Sequence, residues 1–352
     1  MSPDVIQAII ARCGYAPGLI AARESGYRNH SYRLSLPAGQ ELNLMLYKRE
    51  LGIVARIRRA GLISDYLEES GFPTRRQLGP GIVRLNTATG SRYAALYTYL
   101  PGRTIPWEAY TQAHLKLLGQ SLAQMHRQLA LLPLPAQLTL PLAAKELQVL
   151  NSRMGRYFDT PTVTAASRAK LHVSLRPGLF DHFAQLLYLG GRLPGPQPLH
   201  LDFVRGNLLF EPSESGLRLT GILDFEKTAV GHPIIDIART LAFLLVDSRY
   251  KTHAQVRKYF LESGYIKRGE SSFRPMTIHL GTRTIKMLDE LVGFFLVYDF
   301  YKFLRHNPYE SLPQNEHYVR TAGLLLELGL LSSIPADCTR LDRTVMIDTS
   351  TV

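Results

Sequence analysis

Three polar side chains interrupt an apolar segment of the sequence at fixed spacing. The segment "PLHLDFVRGNLLF" places His200, Asp202 and Asn207 among leucine, phenylalanine and valine side chains. Polar groups inside an apolar run need partners or have a chemical role, because burying them unpaired is unfavourable. An isolated Asp-x-x-x-x-Asn spacing is also common in turns and caps. The surrounding sequence therefore has to decide between these interpretations.

A second candidate segment follows shortly after the first. In "LTGILDFEKTAVGHPIIDIART" an apolar strand runs into Asp224, seventeen residues beyond Asn207. The two segments fit consecutive strands joined by a turn at "EPSESG", which places Asn207 and Asp224 on neighbouring strand ends or loops. Asp202 lies on the loop just before. Two carboxylates and an amide oxygen are ligands for a hard cation, and magnesium usually combines one or two of them with phosphate oxygens.

Composition and charge limit the class of protein. The chain has 352 residues, of which 45% are apolar and 20% charged, and its length favours two lobes or domains. The formal net charge of +12 favours anionic partners such as nucleotides or phosphorylated metabolites. The basic residues are scattered and lack an aromatic-basic platform, so we expect no nucleic-acid partner.

Targeting and membrane signals are not visible in the sequence. Cys13 and Cys338 stand at opposite ends of the chain and fit neither a disulfide framework nor a zinc site, which favours a reducing cytosol. The apolar run "LVGFFLVYDFYKFL" is broken by Asp299 and Lys302, so we expect no membrane span. We therefore predict a cytoplasmic protein, and the sequence assigns no oligomeric state.

The order of predicted elements divides the chain into two lobes. Residues 1–99 contain strand-like segments such as "YRNHSYRLSL" and "ELNLMLYKRE", and one helix at "GIVARIRRAGLISDYLEES". Residues 100–332 are mainly helical, and residues 333–352 form a C-terminal tail. The pattern predicts an α+β fold with a small β-rich N-lobe and a larger helical C-lobe.

These motifs together resemble a known family. "HLDFVRGN" has the H-x-D-x-x-x-x-N spacing of kinase catalytic loops, and "LDFE" stands where kinases carry the metal-binding D-F-G. With the adjoining segments, they resemble the aminoglycoside phosphotransferase and choline kinase group of small-molecule kinases. "ESGYRNHSYRL", "YTYLPGRTI" and "LGQSLAQMHRQL" are similar to that group's nucleotide loop, hinge and following helix. The resemblance covers roughly residues 20 to 330 and implies a bilobal protein-kinase-like fold.

The resemblance implies a role for each residue of the catalytic segments. Asp202 would accept or orient the proton of the acceptor hydroxyl, and Asn207 and Asp224 would hold Mg²⁺ against the phosphates of ATP. His200 would brace the catalytic loop by hydrogen bonds. Arg205 stands where the family favours another residue, and it would steady the γ-phosphate or meet an anionic substrate.

Further residues are implied on the nucleotide side. Ser25, Gly26 and Asn29 would let backbone and short side chains approach phosphate, although an ordinary hairpin turn explains Ser25 and Gly26 equally well. Tyr99, at the hinge, is a candidate nucleotide contact. Core and hinge packing is the alternative for both Tyr97 and Tyr99.

One departure concerns the cation that family members carry on an N-lobe strand to pair the α- and β-phosphates. The register of "ELNLMLYKRE" puts Met45 at that position. Lys48 is a candidate replacement but points to the opposite strand face unless the strand slips or bulges. The other candidates are guanidinium groups of the next helix, from Arg56, Arg58 or Arg59.

Three further residues complete the sequence-based assignment. The acid that would pair a strand lysine is expected within "ARIRRAG", which is basic, so Glu50 or Asp65 would have to serve from another turn. Asp236 begins the next helix, and the resemblance implies a structural carboxylate near the catalytic loop.

The acceptor is predicted from charge. The segment from Leu131 to Pro198 has seven Lys or Arg and three Asp or Glu residues, whereas a cationic aminoglycoside needs an acidic pocket. We therefore predict phosphorylation of a hydroxyl on a neutral or anionic small molecule, with ATP and Mg²⁺. The alternative is a pseudokinase without turnover. Intact Asp202, Asn207 and Asp224 favour the enzyme, and Met45 favours the alternative.

Overall fold

The computed structural model describes residues 3–16, 18–25, 29–37, 39–87, 90–106, 109–133, 139–214, 216–266 and 282–334. Gly26 and nearly all of the predicted tail lie outside these residues.

The N-terminal lobe is an antiparallel sheet with two helices. The elements are α1 (Pro3–Arg12), β1 (Leu19–Ser25), β2 (His30–Ser35), β3 (Glu41–Tyr47), α2 (Ile53–Glu69), β4 (Gln77–Thr87) and β5 (Gly90–Thr98). The strand order is β1-β2-β3-β5-β4. Helix α2 begins after Gly52 and ends at Glu69, and Gly71, two residues further on, adopts a φ of +83° that a residue with a Cβ rarely takes.

The two faces of β3 pack against different elements. Leu42, Leu44 and Leu46 pack into the same apolar cluster as the isoleucines of α1. The alternate residues Met45 and Tyr47 face the other side and pack with α2 and β5. Met45 therefore lies on the α2 side of the sheet, the side that can meet the C-terminal lobe.

The C-terminal lobe is mainly helical and has one large apolar core. Helix α3 begins at a capping box in which Thr111 caps the backbone of His114. The elements are α3 (Gln112–Leu129), α4 (Ala143–Phe158), α5 (Pro161–Leu171), β6 (Val173–Leu175), α6 (Leu179–Gly190), β7 (Gln197–Leu199), β8 (Leu208–Ser213), β9 (Gly216–Ile222), β10 (Ala229–Gly231), α7 (Ile234–Asp247), α8 (His253–Arg257), a π-helix (Lys258–Ile266), α9 (Thr282–His306), α10 (Glu316–Glu327) and β11 (Leu331–Ser333).

Two glycines allow α3 and the π-helix to approach closely. A Cβ on Gly119 would lie 2.1 Å from the carbonyl oxygen of Phe260, and one on Gly264 would lie 2.9 Å from the carbonyl oxygen of Lys116. The close packing brings the Tyr265 hydroxyl to His126, in the last turn of α3.

The predicted α+β architecture is confirmed. The segments "HLDFVRGNLLF" and "LTGILDF" form a loop followed by the antiparallel β8–β9 hairpin. The run "LVGFFLVYDFYKFL" lies in α9, which is buried in the core. Among the described residues, no helix is long and apolar enough to cross a membrane.

Candidate active site

The loop between β7 and β8 is held by the carboxylate of Asp236 at the start of α7. Asp236 Oδ2 accepts a hydrogen bond from the His200 backbone N–H (2.8 Å), and Oδ1 accepts one from the Leu201 N–H (2.6 Å). Oδ2 also lies 3.0 Å from Nε2 of the buried His126, whose Nδ1 is 2.7 Å from the Tyr265 hydroxyl. Asp236 therefore fixes two consecutive peptide groups of the loop.

This fixation accompanies an unusual backbone conformation. Leu201 has a φ of +60°, in the left-handed region that costs a residue with a Cβ roughly 1–2 kcal/mol. Its N–H bond to Asp236 is one contact that maintains the conformation. Leu201 therefore carries strain that a glycine at this position would avoid.

His200 braces the loop from inside. Its ring is fully buried; Nδ1 accepts a hydrogen bond from the Asp202 backbone N–H (3.1 Å), so Nε2 donates to the Leu223 carbonyl oxygen at 3.0 Å. Burial lowers the pKa of His200 despite the nearby carboxylates. The neutral ring thus links the catalytic loop to the end of β9, the geometry expected of a bracing residue.

Asp202 lies at the centre of the site and is almost fully buried. Its Oδ2 accepts hydrogen bonds from Asn207 Nδ2 (3.1 Å) and from Lys227 Nζ (2.6 Å), and Arg239 lies 4.0 Å from Oδ1. Burial alone would raise the pKa of Asp202, but the charges of Lys227 and Arg239 outweigh it and lower the pKa to about 2. The carboxylate is ionised at neutral pH.

Asn207 and Asp224 lie on the adjacent ends of β8 and β9, as predicted. The Leu223 N–H donates to the Asn207 carbonyl oxygen at 2.8 Å, which ties the two strand ends together. The Asn207 amide nitrogen faces Asp202, so its amide oxygen is the atom that could bind a cation. Asp224 adopts a left-handed conformation (φ 65°, ψ 63°), and its buried Oδ1 has no hydrogen-bond partner among the described residues.

These two oxygens fit magnesium. A buried carboxylate oxygen without a partner is unfavourable unless a ligand or cation meets it. Magnesium needs only one or two protein oxygens when phosphates and water complete its shell. Among the described residues, no group of three or more His, Cys, Asp or Glu side chains is arranged to hold a metal ion.

A chain of charges that the sequence did not reveal extends from Asp202 into the C-lobe. Arg239 Nη1 donates to Asp299 at 3.0 and 3.2 Å, and Lys302 Nζ lies 2.6 Å from Asp299 Oδ1. Burial would raise the pKa of Asp299, but Arg239 and Lys302 lower it. Arg239 and Asp299 each interrupt an apolar helical run, which is the signal that also distinguished Asp202.

Arg205 takes a different position from the predicted one. Its Nε donates to Asp247 Oδ2 at 2.7 Å, and its Nη1 lies 3.4 Å from the Ile105 carbonyl oxygen. The other oxygen of Asp247 lies 3.0 Å from His317 Nε2. The structure thus places the guanidinium in an ion pair with a buried carboxylate rather than against Asp202.

Asn29, one of the predicted nucleotide residues, reaches the C-lobe. Its Oδ1 accepts a hydrogen bond from the Lys48 backbone N–H (3.1 Å), and its Nδ2 lies 3.5 Å from Glu226 Oε1. Ser25 ends β1 opposite His30, and Gly26 lies outside the described residues. Asn29 therefore joins the first hairpin to the segment after Asp224.

The tyrosines at the hinge pack as the alternative interpretation expected. Tyr97 is buried, and its hydroxyl lies 2.6 Å from that of Tyr47. Tyr99 is half-buried, and the Arg33 guanidinium lies 4.5 Å from the centre of its ring. A nucleotide contact by Tyr99 stays a prediction.

The candidate replacements for a strand lysine are directed elsewhere. Lys48 is exposed and follows the last residue of β3. Arg56 Nη1 pairs with Glu50 Oε2 at 2.8 Å, and Arg58 is exposed. Burial and the neighbouring Arg56 lower the pKa of Arg59. Asp65, the other candidate acid, accepts the Gln77 backbone N–H at 2.8 Å, away from the catalytic loop.

Fold and site together define a phosphotransferase with a protein-kinase-like fold. The pattern of the phosphotransferase enzyme family (APH) matches residues 20–265, and the chain belongs to this family. The predicted resemblance is thereby confirmed. No curated protein matches the chain.

Solved structures with the same fold include several small-molecule kinases. A microcompartment-associated aminopropanol kinase superposes with a TM-score of 0.67 at 17% identity, over 94% of this chain and 99% of its own. An amicoumacin kinase in complex with AMP-PNP, Ca²⁺ and Ami gives 0.66 at 13% identity, over 91% and 93%. Choline kinase from Cryptosporidium parvum Iowa II gives 0.55 at 12% identity, over 94% and 98%. At these identities the similarity shows the fold.

Proposed function

We propose that the protein transfers the γ-phosphoryl group of ATP to a hydroxyl group of a small molecule, with Mg²⁺ as the metal. The observation that carries the proposal is the convergence of Asp202, Asn207 and Asp224, in which one buried oxygen of Asp224 has no protein partner among the described residues. Family membership and the complex of the similar amicoumacin kinase with AMP-PNP and Ca²⁺ support it.

The residues of the site would divide the work of phosphoryl transfer. Asp202, ionised and buried, would accept a hydrogen bond from the acceptor hydroxyl and hold its oxygen in line with the γ-phosphate. Asn207 and Asp224 would hold the metal, which would supply neutralising charge to the phosphates. His200 and Asp236 touch neither reactant, and they position the loop through its backbone.

Lys227 would have two roles at the centre of the site, one toward the phosphate and one toward Asp202. Its side chain is 39% exposed and its ammonium group lies 2.6 Å from Asp202, so it can reach from the carboxylate toward a phosphate group entering the cleft. A cation beside the transferred group would stabilise the charge that develops on the phosphate oxygens. The same cation keeps Asp202 ionised.

We propose, as before, a neutral or anionic acceptor. The charge count of the helical segment, however, does not support this proposal. All ten charged residues between Leu131 and Pro198 are exposed. Two of the acids, Asp159 and Asp181, line a separate cavity between helices with Arg168 and Arg176. That count therefore describes the outer surface of the C-lobe, and it carries no argument about the acceptor.

The groups nearest to Asp202 carry the argument instead. Lys227 Nζ lies 2.6 Å from one oxygen of the Asp202 carboxylate, and the Arg239 guanidinium lies 4.0 Å from the other, where the acceptor hydroxyl would bind. A cationic acceptor would bring its amine near these two cations, and like charges in a partly buried site cost several kcal/mol.

A pseudokinase is the second candidate, and one observation favours it. Met45 lies on the strand face toward α2, where the family carries a phosphate-binding cation. A protein that bound nucleotide without transferring phosphate would fit this replacement.

The cytoplasm stays the predicted location.

A panel of acceptors tests the proposal. ATP consumption should be measured with sugars, nucleosides, phosphorylated metabolites, amino alcohols and aminoglycosides, each with Mg²⁺ and with EDTA. We expect metal-dependent turnover with a neutral or anionic compound. A strong preference for an aminoglycoside or a choline-like cation would contradict the charge argument. ATP binding without turnover on any acceptor would favour the pseudokinase.

A further inference from the structure

The loop that joins α2 to β4 brings an arginine to the strand end that carries Asp224. Thr74, on this loop, forms a parallel bridge with Ile222 at the end of β9, two residues before Asp224. The carbonyl oxygen of Arg75 accepts a hydrogen bond from the Ser64 hydroxyl at 2.6 Å. The backbone of Arg75 is thus held between a helix of the N-lobe and the metal-binding end of β9.

The side chain of Arg75 lies on the sheet face that Met45 shares. Its guanidinium carbon is 4.1 Å from the centre of the Tyr97 ring, and its Nη1 is 3.5 Å from Asn43 Oδ1. Asn43 pairs with Tyr97 across β3 and β5, and Met45 pairs with Ala95 two residues further along. The guanidinium therefore lies on the same strand face from which a lysine at position 45 would project. It lies beside the Asn43–Tyr97 pair, two positions along the strand from Met45.

The charges around Arg75 belong to the proposed metal and nucleotide site. Burial alone would lower the pKa of its guanidinium, but the Tyr47 and Tyr97 hydroxyls and the carboxylates of Glu226 and Asp224 outweigh it and raise the pKa. Arg75 thus carries a permanent positive charge within electrostatic range of the two acids that follow β9.

We propose that Arg75 binds the phosphates of the nucleotide and replaces the cation that β3 lacks at Met45. The inference rests on the proposed function, because it requires a nucleotide in the cleft between the lobes. A guanidinium suits the task, because its planar donors can pair two phosphate oxygens at once and it stays protonated. It approaches from the α2–β4 loop, whereas Lys48 is exposed beyond the end of β3 and Arg56 pairs with Glu50.

A purely structural role makes a different prediction. If Arg75 only neutralised Asp224 and Glu226 and packed on Tyr97, its loss would weaken folding and affect all ligands of the cleft alike. If Arg75 binds phosphate, its loss would lower the affinity for ATP and leave the affinity for adenosine unchanged. The two roles therefore separate when ligands with and without phosphates are compared.

The test compares Arg75→Gln with Arg76→Gln. Arg76 is the adjacent exposed arginine and pairs with Glu68 at 2.5 Å on the surface, which makes it a matched control. Dissociation constants for ATP with Mg²⁺ and for adenosine are measured by calorimetry, and thermal unfolding confirms that each variant is folded. We expect Arg75→Gln to raise the dissociation constant for ATP by about 10- to 100-fold, the effect of losing a charge-assisted hydrogen bond. The dissociation constant for adenosine should change by less than about twofold. Arg76→Gln should change neither of these dissociation constants by more than about twofold.

A second substitution strengthens the test. Met45→Lys restores a cation to β3, and in the Arg75→Gln background it should recover at least part of the affinity for ATP. If Arg75→Gln does not fold, Arg75→Lys keeps the charge but loses the paired donors, so it should lower the affinity for ATP relative to wild type and leave that for adenosine within about twofold.

The failing outcomes are distinct. A folded Arg75→Gln protein with unchanged ATP affinity, or with equal losses for ATP and adenosine, would overturn the role of Arg75 alone. Equal losses of affinity for ATP and adenosine in Arg75→Lys would do the same. A wild-type protein that binds no nucleotide would overturn the proposed function and this inference together.

Discussion

Lys227 Nζ lies 2.6 Å from Oδ2 of Asp202, so the carboxylate at the centre of the site is ion-paired before any substrate enters. The pair explains how a buried carboxylate stays ionised. An acceptor hydroxyl would then approach the other oxygen, Oδ1, which among the described residues has the Arg239 guanidinium 4.0 Å away.

Removing this lysine should change the pH dependence of the reaction. Asp202 has a lowered pKa of about 2, so its ionised form persists as the pH falls and should impose no acid limb on kcat/KM above pH ~4. Lys227→Met removes the charge that most opposes burial, so the pKa should rise toward or above the ordinary value of about 4. An acid limb should then appear between about pH 4 and 6.

Profiles of kcat/KM from pH 4 to 8 check this shift. Lys170→Met is the control, because Lys170 pairs with Glu310 on the exposed surface of the C-lobe. Superimposable profiles for wild type and Lys227→Met would show that Lys227 does not set the ionisation of Asp202.

The orphan oxygen of Asp224 gives a prediction about metal-dependent binding. ATP should raise the melting temperature of the wild-type protein clearly more with Mg²⁺ than with EDTA, because a ligand of the folded state stabilises it by mass action. Asp224→Asn removes the charge from the proposed metal ligand, and it should abolish most of the difference between the two conditions. Equal shifts in wild type with and without Mg²⁺ would remove the metal-site assignment.

The loop-bracing role of Asp236 predicts a loss of stability. Its carboxylate accepts the N–H groups of His200 and Leu201 and contacts His126. Asp236→Asn replaces one acceptor oxygen with a donor, which would leave a buried partner unpaired at a cost of about 1–3 kcal/mol. Urea unfolding measures the change, with the exposed Asp181→Asn as control. A loss below about 0.5 kcal/mol would argue against the bracing role.

The catalytic segments could be predicted from the sequence because their partners are close along the chain. Asp202 and Asn207 are five residues apart on one loop. The antiparallel pairing of β8 and β9 brings Asp224 next to this loop. The Met45 register could be predicted for the same reason, since side chains in a strand alternate between faces.

The rest of the site depends on contacts between distant elements. Arg239 and Asp299 meet because α7 packs on α9, and their positions are sixty residues apart. Arg75 reaches the Met45 face only because its loop is bridged to β9. The charge count between Leu131 and Pro198 says nothing about the acceptor for a related reason, because composition does not specify which helix faces are exposed.

Transfer of labelled phosphate by Asp202→Asn tests the central claim most directly. With γ-labelled ATP, Mg²⁺ and a small-molecule acceptor from the panel, wild type should form a phosphorylated product. Asp202→Asn keeps the side-chain shape, so it should bind ATP within a few-fold of wild type and lower transfer by about two to four powers of ten. Nearly full transfer by a folded Asp202→Asn protein would contradict the assignment of Asp202 as the residue that orients the acceptor.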